Sequence, residues 1–128
     1  METFVYLCIV SQNDRMGSKF EVLFLEEARQ FLKELEEKTR TKILYNIDKA
    51  KILNDPRLFK KLTTDIWEFR TKYNGLQYRL LAFWDKTEKV KTLVIATHGF
   101  VKKVDKVSGI EINKAYELRK LYLRQKKK

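Results

Sequence analysis

Two arginines on one β-hairpin offer the most direct chemistry in this sequence. Asn74-Gly75 is a strong hairpin signal, because both turn positions call for a positive φ. With a two-residue loop, Tyr73 lies opposite Leu76. Thr71 then faces Tyr78, Phe69 faces Leu80 and Trp67 faces Ala82, which makes an apolar face for a core. Side chains alternate along a strand, so the other face takes Glu68, Arg70, Lys72, Gln77 and Arg79, with Ile66, Leu81 and Phe83 beyond. Arg70 stands directly across from Arg79. Two guanidinium groups about 6 Å apart repel by about 1–3 kcal/mol at a protein surface. Glu68 offsets part of this from two residues away. A bridging phosphate offsets more, because the guanidinium fork matches phosphate oxygens. The bland alternative is a solvated pair that splays apart.

His98-Gly99-Phe100-Val101-Lys102-Lys103 leaves the next strand and brings His98 and a lysine toward the rim of the arginine face. A histidine near its ordinary pKa of about 6.5 suits acid–base work. A hydrogen-bonded structural role is the competing reading, and the Asp85–Lys89 turn leaves the face of His98 open. Metal chemistry is poorly provided for. Asp55-Pro56 and Glu68-Phe69-Arg70 only distantly resemble a metal-dependent nuclease signature, and magnesium wants convergent carboxylates. No phosphate-cradling glycine loop is present among four glycines, and no serine or cysteine nucleophile has a base beside it. No metal and no cofactor are expected.

Composition narrows the classes further. At 128 residues the chain suits one domain, and 44% hydrophobic residues place it outside the disordered class. The single Cys8 excludes an intramolecular disulfide, and the single His98 excludes two-histidine catalysis. Phe4–Val10, the longest apolar run, is too short for a bilayer span and lacks signal-peptide flanks. A cytoplasmic protein without a membrane partner is expected. Residues 1–37 hold 4 basic and 8 acidic side chains, whereas residues 38–128 hold 24 and 9, a net of +15 in that block. Such a block is the footprint of a polyanion binder, or else a solvated lysine surface.

The elements that must position these groups are legible in outline. Phe4–Val10 and Phe20–Phe24 read as strands, with a turn over residues 13–18. Leu25, Ala28, Phe31, Leu32 and Leu35 recur at helical spacing; Thr39-Arg40-Thr41 breaks the pattern, and Ile43, Leu44, Ile47, Ala50 and Leu53 resume it until Asn54-Asp55-Pro56. An antiparallel helix pair is expected, with Leu58, Phe59 and Leu62 plugging the core from a loop. Ile66–Tyr73, Leu76–Trp84 and Val90–Thr97 read as strands. Ser108-Gly109-Ile110-Glu111 fits a capping box before a helix carrying Ile112, Ala115, Leu118 and Tyr122. Residues 124–128 are expected to fray as a basic tail. The result is an α+β domain of order β-β-α-α-β-β-β-α.

Taken together, Leu25-Glu26-Glu27-Ala28-Arg29, Ile66-Trp67-Glu68-Phe69-Arg70, Tyr78-Arg79-Leu80-Leu81, His98–Lys103 and Ile112-Asn113-Lys114-Ala115 give an order that resembles the HigB-type, phage-derived branch of the RelE/ParE toxin superfamily. The resemblance covers about residues 18–124, leaving 1–17 as an added N-terminal strand. It implies a RelE/ParE-like twisted, antiparallel-rich sheet over residues 1–128 as a single toxin domain. It also implies a type II toxin held by a cognate antitoxin, usually of helix-turn-helix type, that cuts mRNA on the ribosome without metal. By motif position Arg79 and Arg70 match the basic site, and Lys102 and Lys103 the lysine pair after the last strand; His98, if it reaches the site, is expected to shuttle protons. Lys72, Gln77, Lys102 and Lys103 would bind RNA. The C-terminal catalytic tyrosine of some members has no matching position, since Tyr116 and Tyr122 fall inside the expected helix. Two rival readings are a ParE-like toxin that binds DNA gyrase and a non-catalytic basic nucleic-acid-binding module.

Overall fold

The computed structural model describes residues 19–87 and 93–126. The expected strand at Phe4–Val10, the turn after it and the last two lysines lie outside the described residues. Within them the order is β1 (Glu21–Phe24), α1 (Glu26–Lys33), α2 (Glu37–Ile52), β2 (Phe59–Lys61), β3 (Trp67–Tyr73), β4 (Leu76–Asp85), β5 (Leu93–Lys102) and α3 (Gly109–Lys126). The strands form one sheet in the order β1-β5-β4-β3-β2, with β1 parallel to β5 and the other pairs antiparallel. This is a mixed α+β architecture. No helix among the described residues is long and apolar enough to cross a membrane.

Alternation along the strands sorts the core into two layers. Val22, Phe24, Phe69, Leu80, Ala82, Val94 and Ala96 meet Ala28 and Leu32 of α1 and Ile43, Ile47 and Ala50 of α2 on one face. Leu81, Phe83 and Ile95 meet Ala115, Ile112, Tyr116 and Tyr122 of α3 on the other. The hairpin turn takes the positive φ values that Asn-Gly supports, 55° at Asn74 and 82° at Gly75. Every expected cross-strand pair from Tyr73–Leu76 to Trp67–Ala82 is present.

Four local expectations are corrected. The helix break falls at residues 34–36, not at Thr39-Arg40-Thr41, which lies inside α2. Buried Thr39 packs there, and the Arg40 guanidinium donates to the Leu32 and Leu35 carbonyls at 3.4 and 3.0 Å, satisfying the open end of α1. The two helices lean chiefly on the sheet, α1 against β5 and α2 against β3. Phe59 is no loop plug: it begins edge strand β2, stacked on Phe69 at 4.3 Å between ring centroids. The third correction concerns β5, which runs through His98 to Lys102 rather than ending at Thr97.

The fourth concerns the C-terminal end, which does not fray at Arg124. Helix α3 continues to Lys126, whose Nζ donates to Asp85 Oδ2 at 2.7 Å. Tyr122 Oη donates to the same oxygen at 2.6 Å, and Thr87 donates through its hydroxyl and backbone N–H to Oδ1. Burial raises the Asp85 pKa, but the hydrogen bonds from Lys126, Thr87 and Tyr122 outweigh it and leave the carboxyl well below its ordinary range. Burial, followed by the bond to Asp85, pushes the Tyr122 hydroxyl up to about 12. This cluster ties the last turns of α3 to the end of β4.

A depressed carboxyl pKa contributes stability above its unfolded value of about 3.9, lost as pH falls through the folded value. Replacement Lys126→Met is therefore expected to lower stability by about 1–2 kcal/mol at pH 7. The difference from the parent should shrink below about pH 4. Lys120→Met, on an exposed pair with Glu117, should change stability by less than about 0.5 kcal/mol. Urea unfolding across pH reads both.

Candidate functional site

The face of β3–β4–β5 toward α3 carries charged residues in cross-strand rows at its hairpin end. Lys72 pairs with Gln77, and Gln77 with Lys102. The next row is Arg70, Arg79 and Phe100; the third is Lys60, Glu68, Leu81 and His98. The structure thus brings Arg70, Lys72, Gln77, Arg79 and Lys102 onto one face. Lys103 follows β5 in an exposed turn, and Lys102 Nζ donates to the Asp105 carbonyl at 3.1 Å.

The opposed arginines do not splay into solvent. Arg79 is only 2% exposed, and its Nε lies 3.1 Å from Glu68 Oε1. Its Nη1 donates to the Tyr78 carbonyl and its Nη2 to Gln77 Oε1, both at 3.1 Å. Arg70 is partly exposed, with Nε 3.5 Å from Glu68 Oε2 and Nη1 donating to the Pro56 carbonyl at 3.3 Å. One buried carboxylate is therefore shared by two guanidinium groups. Burial pulls the Arg79 pKa below its ordinary value; Glu68 opposes that and Arg70 adds to it. Arginine nonetheless keeps its proton in proteins, so this trio retains a positive charge.

Above the trio lies a concavity of about 120 Å³, lined by Arg57, Arg70, Thr71, Lys72, Gln77 and Arg79. At about 30 Å³ per water it holds a few waters or one phosphoryl group. Arg57, in the lead-in to β2, was not singled out by its sequence context. It is strongly exposed and already grips Asp55 through Nε at 3.2 Å and Nη2 at 3.0 Å. Only the chain path from Pro56 into the edge strand brings it to the rim.

His98 is not at that rim. It sits within β5, 2% exposed, with Nε2 2.9 Å from Glu111 Oε1 and Nδ1 3.0 Å from Thr97 Oγ1. Glu111 can only accept, which puts a proton on Nε2. Ser108 caps α3 by accepting from the Glu111 N–H at 3.3 Å, while the Glu111 side chain turns to His98 instead of closing the capping box. Phe100 stacks beside His98 and stands between it and Arg79 in the row order. Burial pulls the His98 pKa below its ordinary value, with Glu111 opposing only in part. The structure thus places the expected proton shuttle in hydrogen bonds with Glu111 and Thr97, away from the arginine rim. Tyr116 and Tyr122 are likewise engaged, with Thr63 and Asp85. Among the described residues no three His, Cys, Asp or Glu side chains converge as a metal site would need.

Comparison with known families now bears on this geometry. The model of the family described as Phage derived protein Gp49-like (DUF891) matches residues 30–120. The chain belongs to this family. It is a toxin-like family of RelE/HigB type. The matched segment runs from within α1 to within α3 and so contains the whole arginine trio of this Gp49-like chain. No curated protein matches the chain closely enough to count as a relative.

Removing the shared carboxylate tests the charge balance of the trio. Glu68→Gln leaves two crowded guanidinium groups without a counter-charge and is expected to lower stability by about 3 kcal/mol. Millimolar sulfate should restore much of that loss, raising the urea midpoint far more in the variant than in the parent. Sodium chloride at matched ionic strength should not. Equal responses of variant and parent to sulfate would mean that no anion enters between the arginines.

Proposed function

We propose that this Gp49-like protein is the toxin of a type II toxin–antitoxin pair that cuts mRNA on the translating ribosome. The antitoxin partner is implied by the toxin-like family, and the helix-turn-helix type by the resemblance of the motifs. The observation that carries the reading is the cross-strand Arg70–Arg79 pair, joined by Glu68 beneath a phosphate-sized, cationic concavity. The fold is read as RelE/ParE-like, with residues 1–128 as one toxin domain.

In this reading the scissile phosphate lies against Arg70, and Arg79 supplies field from below. The ribose 2′-oxygen attacks phosphorus and loses its proton, while the bond to the 5′-oxygen breaks and that oxygen takes up a proton. The products are a 2′,3′-cyclic phosphate and a 5′-hydroxyl. Charge grows on the phosphoryl oxygens during attack, and a guanidinium already fixed by Pro56 and Glu68 needs little reorganisation to meet it. Lys72, Lys102 and Lys103 hold the flanking backbone as point charges. The reaction as proposed uses no metal; Asp55, Glu68, Asp65 and Asp85 are each engaged by arginine or lysine.

Expression without an antitoxin should stop methionine incorporation before thymidine incorporation, and cut mRNA should carry 5′-hydroxyl ends. Arg70→Ala is the informative variant, because it leaves Arg79 and Glu68 as a one-to-one buried pair. It should fold with stability within about 1 kcal/mol of the parent and lose toxicity. His98→Gln, if folded, should remain toxic. Early loss of thymidine incorporation with a DNA-damage response would contradict mRNA cleavage and favour gyrase. Full toxicity of folded Arg70→Ala would remove Arg70 from the site.

A further inference from the structure

A second concavity with aromatic walls lies at the opposite end of β3 from the hairpin, away from the arginines. It encloses about 510 Å³. Its walls include Trp67 and Trp84, the cations Lys61, Lys86 and Arg119, and one acid, Asp65. The indoles meet edge to face with centroids 5.7 Å apart, and Phe59 stacks on Trp67 from behind at 4.9 Å. Both tryptophans are half-buried, so each is held by the core while part of its surface stays open. Arg119 lies 3.8 Å from Asp65, whereas exposed Lys61 and Lys86 have no acidic partner among the described residues. Asp65 thus balances Arg119, and the two lysines keep the rim positive.

We infer that this pocket is a nucleobase-binding subsite for single-stranded RNA, with the indoles as the stacking surface and Lys61 and Lys86 on the adjoining phosphates. Aromatic platforms flanked by cations bind single strands without strong sequence preference, because each base offers a π-face and each step a negative charge. The volume suits a base with its ribose, whereas the arginine concavity suits only a phosphoryl group. Edge strand β2 links the two. Lys60 pairs with Glu68 on the arginine face, and Lys61 pairs with Trp67 on the opposite face. Trp67 and Arg70 are three residues apart on β3, about 10 Å along the strand. An RNA strand leaving the arginines can therefore round the β2 edge past Lys60 and Lys61 and place a base in the pocket.

The inference rests on RNA as the substrate class, yet its test does not depend on cleavage. Trp67 and Trp84 are the only tryptophans in the sequence, so intrinsic emission reports this pocket directly. The probe is a short 2′-O-methyl RNA oligonucleotide, which cannot undergo 2′-oxygen attack, titrated into the full chain. Saturable quenching is expected, together with protection of the indoles from acrylamide. Lys61→Glu combined with Lys86→Glu, at two exposed positions, should keep the parental melting curve and weaken binding about tenfold or more. Four outcomes would overturn the subsite: no quenching, equal quenching by inorganic polyphosphate of matched charge, unchanged affinity in the double variant, or saturation by polyglutamate in place of RNA. Quenching that persists while mRNA cleavage is absent would leave the subsite standing and remove the ribonuclease reading.

Discussion

Burying Arg79 requires a negative group at ion-pair distance, and Glu68 supplies it from the neighbouring strand. A lone guanidinium in a protein interior is costly enough to reorganise whatever surrounds it. Here the same carboxylate also meets Arg70, so three charges on two strands become one coupled unit. The hairpin register follows the same logic. Slipping β3 against β4 by one residue would turn Glu68 and Arg70 toward the α1–α2 core and expose Phe69. The Asn74-Gly75 turn and the charge trio therefore specify the same pairing. The arrangement leaves the unit with an excess of positive charge facing a small opening. That excess is what an anion would meet.

How far the sequence discloses this site depends on whether the determining interactions are local. The register of β3 and β4 was readable because a two-residue loop defines it, and the alternation then placed Glu68, Arg70 and Arg79 together. The depth of Arg79 was not readable, since its burial depends on Gln77, Tyr78 and the packing of a whole sheet. His98 shows the clearest limit of periodicity. A bulge at Thr97 lets Ala82 pair with Ala96 while the adjacent Leu81 pairs with His98. The extra residue moves His98 from the face of Val94 and Ala96 to the face of Leu81. No residue pattern in Ala96-Thr97-His98-Gly99 announces that bulge. Gly99 then lies where an added Cβ would collide with the Phe31 ring, so close packing of α1 on β5 depends on that glycine.

Long-range polar contacts account for the remaining differences. Lys126 looked like part of a solvated tail because its partner, Asp85, is 41 residues away. Edge strand β2 escaped notice because three residues carry too little alternation to be recognised, and its stability comes from Phe59 stacking on aromatic neighbours. In each case local propensity was overridden by a contact that only the assembled sheet supplies. The family match adds a toxin-like character to this physical picture. The charge distribution supports the same direction, with the basic excess concentrated after residue 37.

The central claim is that Arg70 and Arg79 hold a phosphate over Glu68. The most direct measurement is a nuclear magnetic resonance titration of the arginine Nε–Hε signals in the full chain with a 2′-O-methyl RNA dinucleotide. The account predicts that the Arg70 and Arg79 signals shift together along one saturable curve, with slowed solvent exchange at Arg70. Arg29 and Arg124, outside the concavity, should stay unmoved. Shifts spread evenly over all arginines, or absent from the Arg70–Arg79 pair, would contradict it.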